Sequence, residues 1–242
     1  MKKSFLTVAI ACSFLFANQV SAEAKGLEGR LSLGYSESSG NTEEEKVNFN
    51  FNLKNKKNEK LNLLYKGLIN YGKSGGNINS DKKQFGVIGE FIKDSKNSFY
   101  LESGILKDQF AGYETKLNFG LGHFKTIMAD NKRNLKAALG LEITKEDYTD
   151  STSKTRQWLK LGLTGDRMVG ENVKLLSSVD FGAPRKKIRN RYEIDFMLGI
   201  LFTVNSQIDL ETKYLANYRK SPLVAGKEKT DSTFLTNLIY KM

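Results

Sequence analysis

The stretch Tyr192-Glu193-Ile194-Asp195-Phe196-Met197-Leu198-Gly199-Ile200-Leu201-Phe202 decides what this chain builds. In steps of two, Tyr192, Ile194, Phe196, Leu198, Ile200 and Phe202 are all apolar, with the charged Glu193 and Asp195 between them. Side chains two apart share one face of a β-strand, whereas a helix would scatter these six around its circumference. The same step continues downstream at Ile208, Leu210, Tyr214 and Tyr218, and again at Phe234, Leu238, Tyr240 and Met242. Upstream it runs through Leu31, Leu33, Tyr35; Val47, Phe49, Phe51, Leu53; Leu61, Leu63, Tyr65, Ile69, Tyr71; and Phe85, Val87, Phe91. Phe99, Leu101, Ile105; Leu117, Phe119, Leu121; Leu135, Ala137, Leu139, Leu141, Ile143; Leu159, Leu161, Leu163; and Val173, Leu175, Val179, Phe181 bring the expected number of strands to twelve.

A soluble sandwich alternates in the same way, so period two alone does not separate the two architectures. Three features favour an antiparallel transmembrane β-barrel. Most segments reach the roughly 9–11 residues that a tilted strand needs to cross a bilayer, against about 5–6 in a sandwich. Aromatic residues gather at strand ends, Tyr71, Tyr113, Tyr192 and Tyr218 at one end and Phe91, Phe99, Phe202 and Tyr240 at the other, as an interfacial girdle would place them. The polar face mixes Gly34, Gly86, Gly104, Gly120, Gly140 and Gly199 with charged and amide side chains, which suits a confined lumen. The links also alternate. Those near residues 55–58, 94–97, 127–132, 167–172 and 203–206 fall on one side and are short. Those near 38–42, 73–81, 109–113, 148–154, 183–191 and 219–229 fall on the other, include the longest, and hold both prolines, Pro184 and Pro222.

Composition narrows the function. The 242 residues carry 38 basic and 27 acidic side chains, one His and one Cys, for a net charge of +11. A lone Cys cannot form an internal disulfide, and a lone His with a lone Cys cannot build a zinc site of His and Cys within one chain. Residues 1–22 read as a Sec signal peptide: Lys2 and Lys3, an apolar core over 5–17, and small residues before Glu23. Cleavage after Ala22 would remove Cys12, lower the charge to +9 and leave 23–242 as one barrel domain. No apolar run approaches the 18 or so residues of a transmembrane helix; residues 197–202 form the densest patch.

Several short stretches carry a resemblance. Leu33-Gly34-Tyr35 followed by Ser38-Ser39-Gly40-Asn41-Thr42, the central Asp108-Gln109-Phe110-Ala111-Gly112-Tyr113, and Asn217-Tyr218 with Ser221-Pro222 and Lys229-Thr230-Asp231 resemble the YdiY-like family. That family is described as salt-induced outer-membrane proteins of otherwise unknown function, and the resemblance covers the chain from about Gly29 to Met242. It implies an outer-membrane barrel and brings no activity with it. Leu238, Tyr240 and Met242 also resemble the terminal signal read by the outer-membrane assembly machinery, departing from it by ending on Met instead of Phe or Trp.

Candidate chemistry is sparse. Gly67-Leu68-Ile69-Asn70-Tyr71-Gly72-Lys73-Ser74 spells a P-loop, but Ile69 and Tyr71 continue a strand and Ser74-Gly75-Gly76-Asn77 opens no helix whose amides could hold phosphate. His123, the sole general base near neutrality, shares parity with Leu117, Phe119 and Leu121 and is expected to face outward, without an evident acidic partner. No catalytic residue, cofactor or metal is therefore expected, and no nucleic-acid partner. The run Arg185, Lys186, Lys187, Arg189 and Arg191 in an external loop is the candidate contact for lipopolysaccharide phosphates or anionic solutes. Lys54, Lys56, Lys57 and Lys60 belong to the opposite, periplasmic end. The lumen is expected to carry Arg30, Lys46, Lys66, Glu90, Glu102, Lys116, Glu142, Glu193, Asp195, Glu211 and Lys213, with Leu64, Leu68, Ile88 and Leu176 narrowing it. Opposed charges across so small a barrel either fill it or line a narrow water path. The expected function is a non-catalytic outer-membrane barrel serving envelope integrity or osmotic and salt adaptation. A narrow channel for small solutes, anions among them, is the rival, and an outer-membrane enzyme a more distant one.

Overall fold

A computed structural model of the protein describes residues 27–39, 44–74, 77–186, 188, 190–221 and 228–242. The leader at 1–22, Lys187, Arg189 and Pro222 lie outside the described residues. Twelve strands follow one another: β1 (Leu27–Ser39), β2 (Glu44–Asn58), β3 (Leu61–Ser74), β4 (Asn77–Ile92), β5 (Asn97–Asp108), β6 (Tyr113–Ala129), β7 (Arg133–Tyr148), β8 (Ser153–Met168), β9 (Val173–Pro184), β10 (Glu193–Thr203), β11 (Ile208–Arg219) and β12 (Thr230–Lys241). Each pairs antiparallel with its neighbours in sequence, and β1 pairs with β12, so the sheet closes into a meander barrel without a free edge. Closure sets Leu33 opposite both Leu238 and Phe49, keeping the apolar parity of all three strands on one side.

That side is the outside. Phe119, Leu121, Leu139, Leu141 and Ile143 are each half or more exposed and adjoin one another across β6 and β7. The largest fully buried side chains are Trp158, Glu146, Asn237, Thr144 and Asp209, mostly polar. A soluble sandwich has the reverse polarity, and a continuous apolar exterior of this extent would drive it to aggregate. The aromatic ends follow the expected girdle at Phe91, Phe99 and Phe202, all outward, and at Tyr192, whose ring lies 5.7 Å from that of Tyr218 and 6.0 Å from that of Phe181.

At one end of the barrel the strands join through short turns at residues 59–60, 93–96, 130–132, 169–172 and 204–207. Asp94, Asp130 and Asn205 each fold a side-chain oxygen back onto the amides two and three residues on, at 2.8–2.9 Å. The Lys96 amide foremost, then the Asn97 side chain, hold the Asp94 carboxyl below its usual range. Each turn is also tied to the next. The carbonyls of Lys60, Lys96, Lys132, Asn172 and Gln207 accept from the amides of Ile92, Thr126, Met168, Thr203 and Lys241 at 2.7–2.8 Å.

The structure corrects three expectations. The supposed long loop at 73–81 is a link of two residues, 75–76, because the Ser- and Asn-rich flanks continue as strand, with Lys73 opposite Ile78 after a register shift at Gly72. Polar residues on both faces look like loop in sequence but suit strand that has left the apolar belt. Tyr113 is not in the outer girdle. A bulge between Tyr113 and Thr115 inverts its parity and turns the ring into the lumen, 3% exposed. Pro184 ends β9 opposite Trp158 instead of lying in the loop; β10 pairs only as far as Gly182, so its missing amide breaks no bond on that side.

One lumen contact depends on absent side chains. A Cβ on Gly140 would lie 2.1 Å from the Tyr100 hydroxyl, and one on Gly122 2.6 Å from the same ring. Tyr100 thus lies flat on two paired glycines and stacks on Phe124 at 4.3 Å. Gly140→Val is expected to displace the ring and cost about 1–3 kcal/mol, read as a lower urea midpoint together with altered near-ultraviolet dichroism of the tyrosines.

Candidate functional site

The inward face of the strands is the candidate site, and it is organised in tiers from the loop end to the turn end. At the loop end, Thr144, Glu146 and Tyr148 project from one face of β7, two residues apart, with Arg156 and Trp158 beside them on β8. Glu146 is fully buried and accepts from the Tyr148 hydroxyl, from Arg156 Nε at 2.9 Å and from Thr144 Oγ1 at 3.0 Å; Lys116 Nζ stands 3.8 Å away. Trp158, 1% exposed, donates its indole N–H to Thr144 Oγ1 at 3.1 Å. Lys116, Lys160 and Arg191 place their cations 5.5, 5.2 and 5.8 Å from its ring centre, within reach of a cation–π attraction. The Tyr113 and Tyr148 rings lie 5.6 Å apart on the loop side of this group. Lys82 on β4 lies within electrostatic reach of Asp108, Arg219 and Asp195, carrying the network to the facing wall.

The middle tier is roomier. Glu142 takes a hydrogen bond from Asn118 at 3.0 Å and an ion pair from Lys160 at 3.4 Å. Asp180 and Asp195 oppose one another across β9 and β10, and Asn217 donates to Asp195 at 2.6 Å. Two cavities, ≈ 440 and ≈ 320 Å³, meet here, with Lys66, Gln84, Ile88, Glu102 and Asn118 in both linings. Towards the turns, Lys136 on β7 reaches Glu90 on β4 at 2.6 Å, spanning the arc of β5 and β6. Glu90 also accepts from Ser98 at 2.8 Å and from Asn62 at 3.2 Å, and Lys136 lies 4.1 Å from the Phe124 ring centre. On the facing wall Lys213 pairs with Glu211 at 2.8 Å, Asn237 donates to Glu211 at 2.8 Å, and Lys241 pairs with Asp209 at 2.6 Å.

Of the expected lumen charges, Lys116, Glu142, Glu193, Asp195, Lys66 and Glu102 come together in or beside the upper and middle tiers, while Glu90, Glu211 and Lys213 belong to the lower one. Lys46 lies near Lys82, Asp108 and Asp231 at the loop end. Arg30 is exposed at the turn end, opposite Lys241. The basic run divides: Arg185 and Lys186 are exposed, whereas Arg191 turns inward onto Trp158. Sequence reasoning passed over Glu146, Arg156, Trp158, Tyr148 and Lys160. Parity could have found them, since Trp158 and Lys160 alternate with the outward Leu159, Leu161 and Leu163. Gly67 to Ser74 is unbroken strand, with no helix to follow it. His123 packs outside against Phe99, ring centres 5.3 Å apart. Among the described residues no group of three or more His, Cys, Asp or Glu is placed to hold a metal ion.

Fold and lumen together define a closed twelve-stranded barrel, apolar outside and charged within. Residues 31–242 match the family described as "Protein of unknown function, DUF481", and the chain belongs to that family. No curated protein matches the chain. Among solved structures, the NanC porin is similar at a TM-score of 0.63 and 8% identity, over 88% of this chain and 100% of that one. An outer-membrane channel from Pseudomonas putida F1 gives 0.58 and 6%, over 93% and 98%. The translocator domain of the autotransporter NalP from Neisseria meningitidis gives 0.54 and 9%, over 100% and 98%. At such identities the likeness is one of fold.

Proposed function

We propose that the chain is an outer-membrane barrel, non-catalytic, exported by its leader and inserted with the short turns on the periplasmic side. Its lumen is filled, and it serves envelope integrity under osmotic or salt stress. The observation that carries this reading is the set of contacts across the lumen. Lys136–Glu90 and the group around Glu146 and Trp158 join strands that are not neighbours, or close a whole sector of the passage. Small barrels are commonly filled by side chains in this way. The apolar exterior supports insertion in the bilayer, β12 supports recognition by the assembly machinery, and the exposure of Arg185 and Lys186 at the loop end supports contact with lipopolysaccharide phosphates.

The meeting of the two middle cavities favours one second reading, a narrow solute channel, in keeping with a fold shared with a porin and a channel. Planar bilayers separate the two. The filled barrel is expected to insert, to migrate differently on gels before and after boiling, and to give no resolved current steps. Reproducible stepwise conductance would establish the channel, and a chain that stays soluble and monomeric without detergent would refute the membrane reading altogether.

A further inference from the structure

The cations at the turn end are not spread evenly around the rim. Arg133 and Arg167 are direct cross-strand partners on β7 and β8, both on the outward parity of Leu139, Leu161 and Leu163. Like charges placed directly opposite one another destabilise a sheet unless something lies between them. On β6 Lys125, on the parity of Leu121 and His123, stands opposite Ala137 and so nearer the apolar belt than the arginine pair, and Lys93, Lys96 and Lys132 occupy the adjoining turns. Two acids of this sector, Asp94 and Asp130, are already engaged, while Glu171 lies exposed in the 169–172 turn. Asp94 caps its own turn, and Asp130 accepts from the Lys132 and Arg133 amides and takes Arg133 Nε and Nη2 on one oxygen at 3.0 and 2.8 Å. Between the Asp130 and Val169 turns lies an open cleft of ≈ 780 Å³ lined by Asp130, Asn131, Lys132, Arg133, Arg167, Met168 and Val169, in which the three cations outnumber the one carboxylate. Of its apolar lining Val169 is exposed, and Ile127 and Met128 are exposed nearby at the end of β6. On the far arc of the same rim the outward side chains are Phe202, Val204, Ile208 and Leu210, with no cation among them.

A row of cations just below an apolar belt, with apolar side chains beside it, matches the junction of a lipid's phosphate with its acyl chains. Arginine pairs favour phosphate because the guanidinium offers parallel N–H donors. We infer that the β6–β8 sector of the turn rim binds the phosphate of an anionic phospholipid of the leaflet at that end, clamped between Arg133 and Arg167, with Lys125 beside them. This rests on the membrane-barrel reading. It adds a site at the end opposite the Arg185 loop, for a different lipid.

The experiment uses the refolded chain in phosphatidylcholine vesicles holding a minor fraction of phosphatidylglycerol, with spin-labelled forms of each lipid. The wild type is expected to immobilise labelled phosphatidylglycerol about fivefold or more in preference to phosphatidylcholine, which is the order expected of roughly one effective basic side chain near a membrane surface. Arg133→Gln with Arg167→Gln and Lys125→Gln should bring the ratio close to one, while Lys57→Gln with Lys60→Gln, exposed on the same rim outside this sector, should leave it intact. An unchanged preference in the triple variant, or none in the inserted wild type, overturns the clamp. Displacement of the labelled lipid by inorganic phosphate as readily as by phosphatidylglycerol would make this a general phosphate site and overturn the lipid assignment. Failure of the wild type to enter vesicles at all refutes the membrane reading instead, and is seen before any preference is measured.

Discussion

Trp158→Ala is expected to unblock the loop end of the lumen and turn a silent barrel into a conducting one. The indole is 1% exposed and is the common contact of Lys116 from β6, Lys160 from its own strand and Arg191 from the loop before β10. Removing it takes away the surface against which three cations are held and frees Thr144 from its N–H donor. Lys160 and Glu193 both line the ≈ 440 Å³ cavity below, so the vacated space opens directly onto existing room. Loss of so large a buried ring costs about 3–5 kcal/mol in a dry core. Water that enters the widened passage offsets part of that, and the variant should still fold. The checks are ion flux from loaded vesicles and single-channel recording, beside a boiling-dependent gel shift to show that the barrel has formed. A variant that folds yet passes no more ions than the wild type would place the barrier elsewhere, at Lys136 and Glu90.

Glu146→Ala is expected to be the costliest single change in the lumen. The carboxylate contacts Arg156, Lys116 and the Tyr148 hydroxyl at once, and it is wholly shielded from solvent. Without it two cations face each other in a confined space, the situation in which breaking a buried pair costs about 3–5 kcal/mol. Burial shields the pair from dissolved ions, so added salt should change the loss little. Urea unfolding in detergent measures it. Glu146→Gln keeps hydrogen-bonding capacity and should lose less. In a double-mutant cycle, Arg156→Ala made in the Glu146→Ala background should cost much less than it does alone. Strict additivity of the two would mean that the contact carries no coupling energy.

The fold was legible because period two persists in segment after segment, and a one-residue slip anywhere would have put polar side chains outside. Period two alone could not decide which face looked outward, since a sandwich and a barrel share the pattern; strand length and the aromatic ends pointed to a barrel, and the exposure of Phe119, Leu139 and Leu141 on the closed sheet bears that out. Legibility failed where local rules changed. The bulge after Tyr113 reversed a parity that nothing in Tyr113-Glu114-Thr115 announces, and the strand ends at 73–74 and 77–81 have the composition of a loop because they project beyond the apolar belt. The lumen was readable one strand at a time, so Lys116 and Glu142 could be placed inward. Their partners could not be named, because a contact such as Lys136 with Glu90 depends on the curvature of the sheet and joins positions 46 apart in the chain.

The ties between successive turns give the rim a direction. Lys60 accepts only from the hairpin that follows it, at Ile92; Lys96 then accepts from Thr126, and so on until Gln207 accepts from Lys241. Every completed hairpin therefore leaves one carbonyl pointing onward, a templating position for the next arrival, and the last strand finds its onward partner in β1, where Met242 and Gly29 exchange amide bonds. A barrel wired like this can be zipped in sequence, each addition registering on the one before, with the first and last strands acting as the clasp that closes the ring.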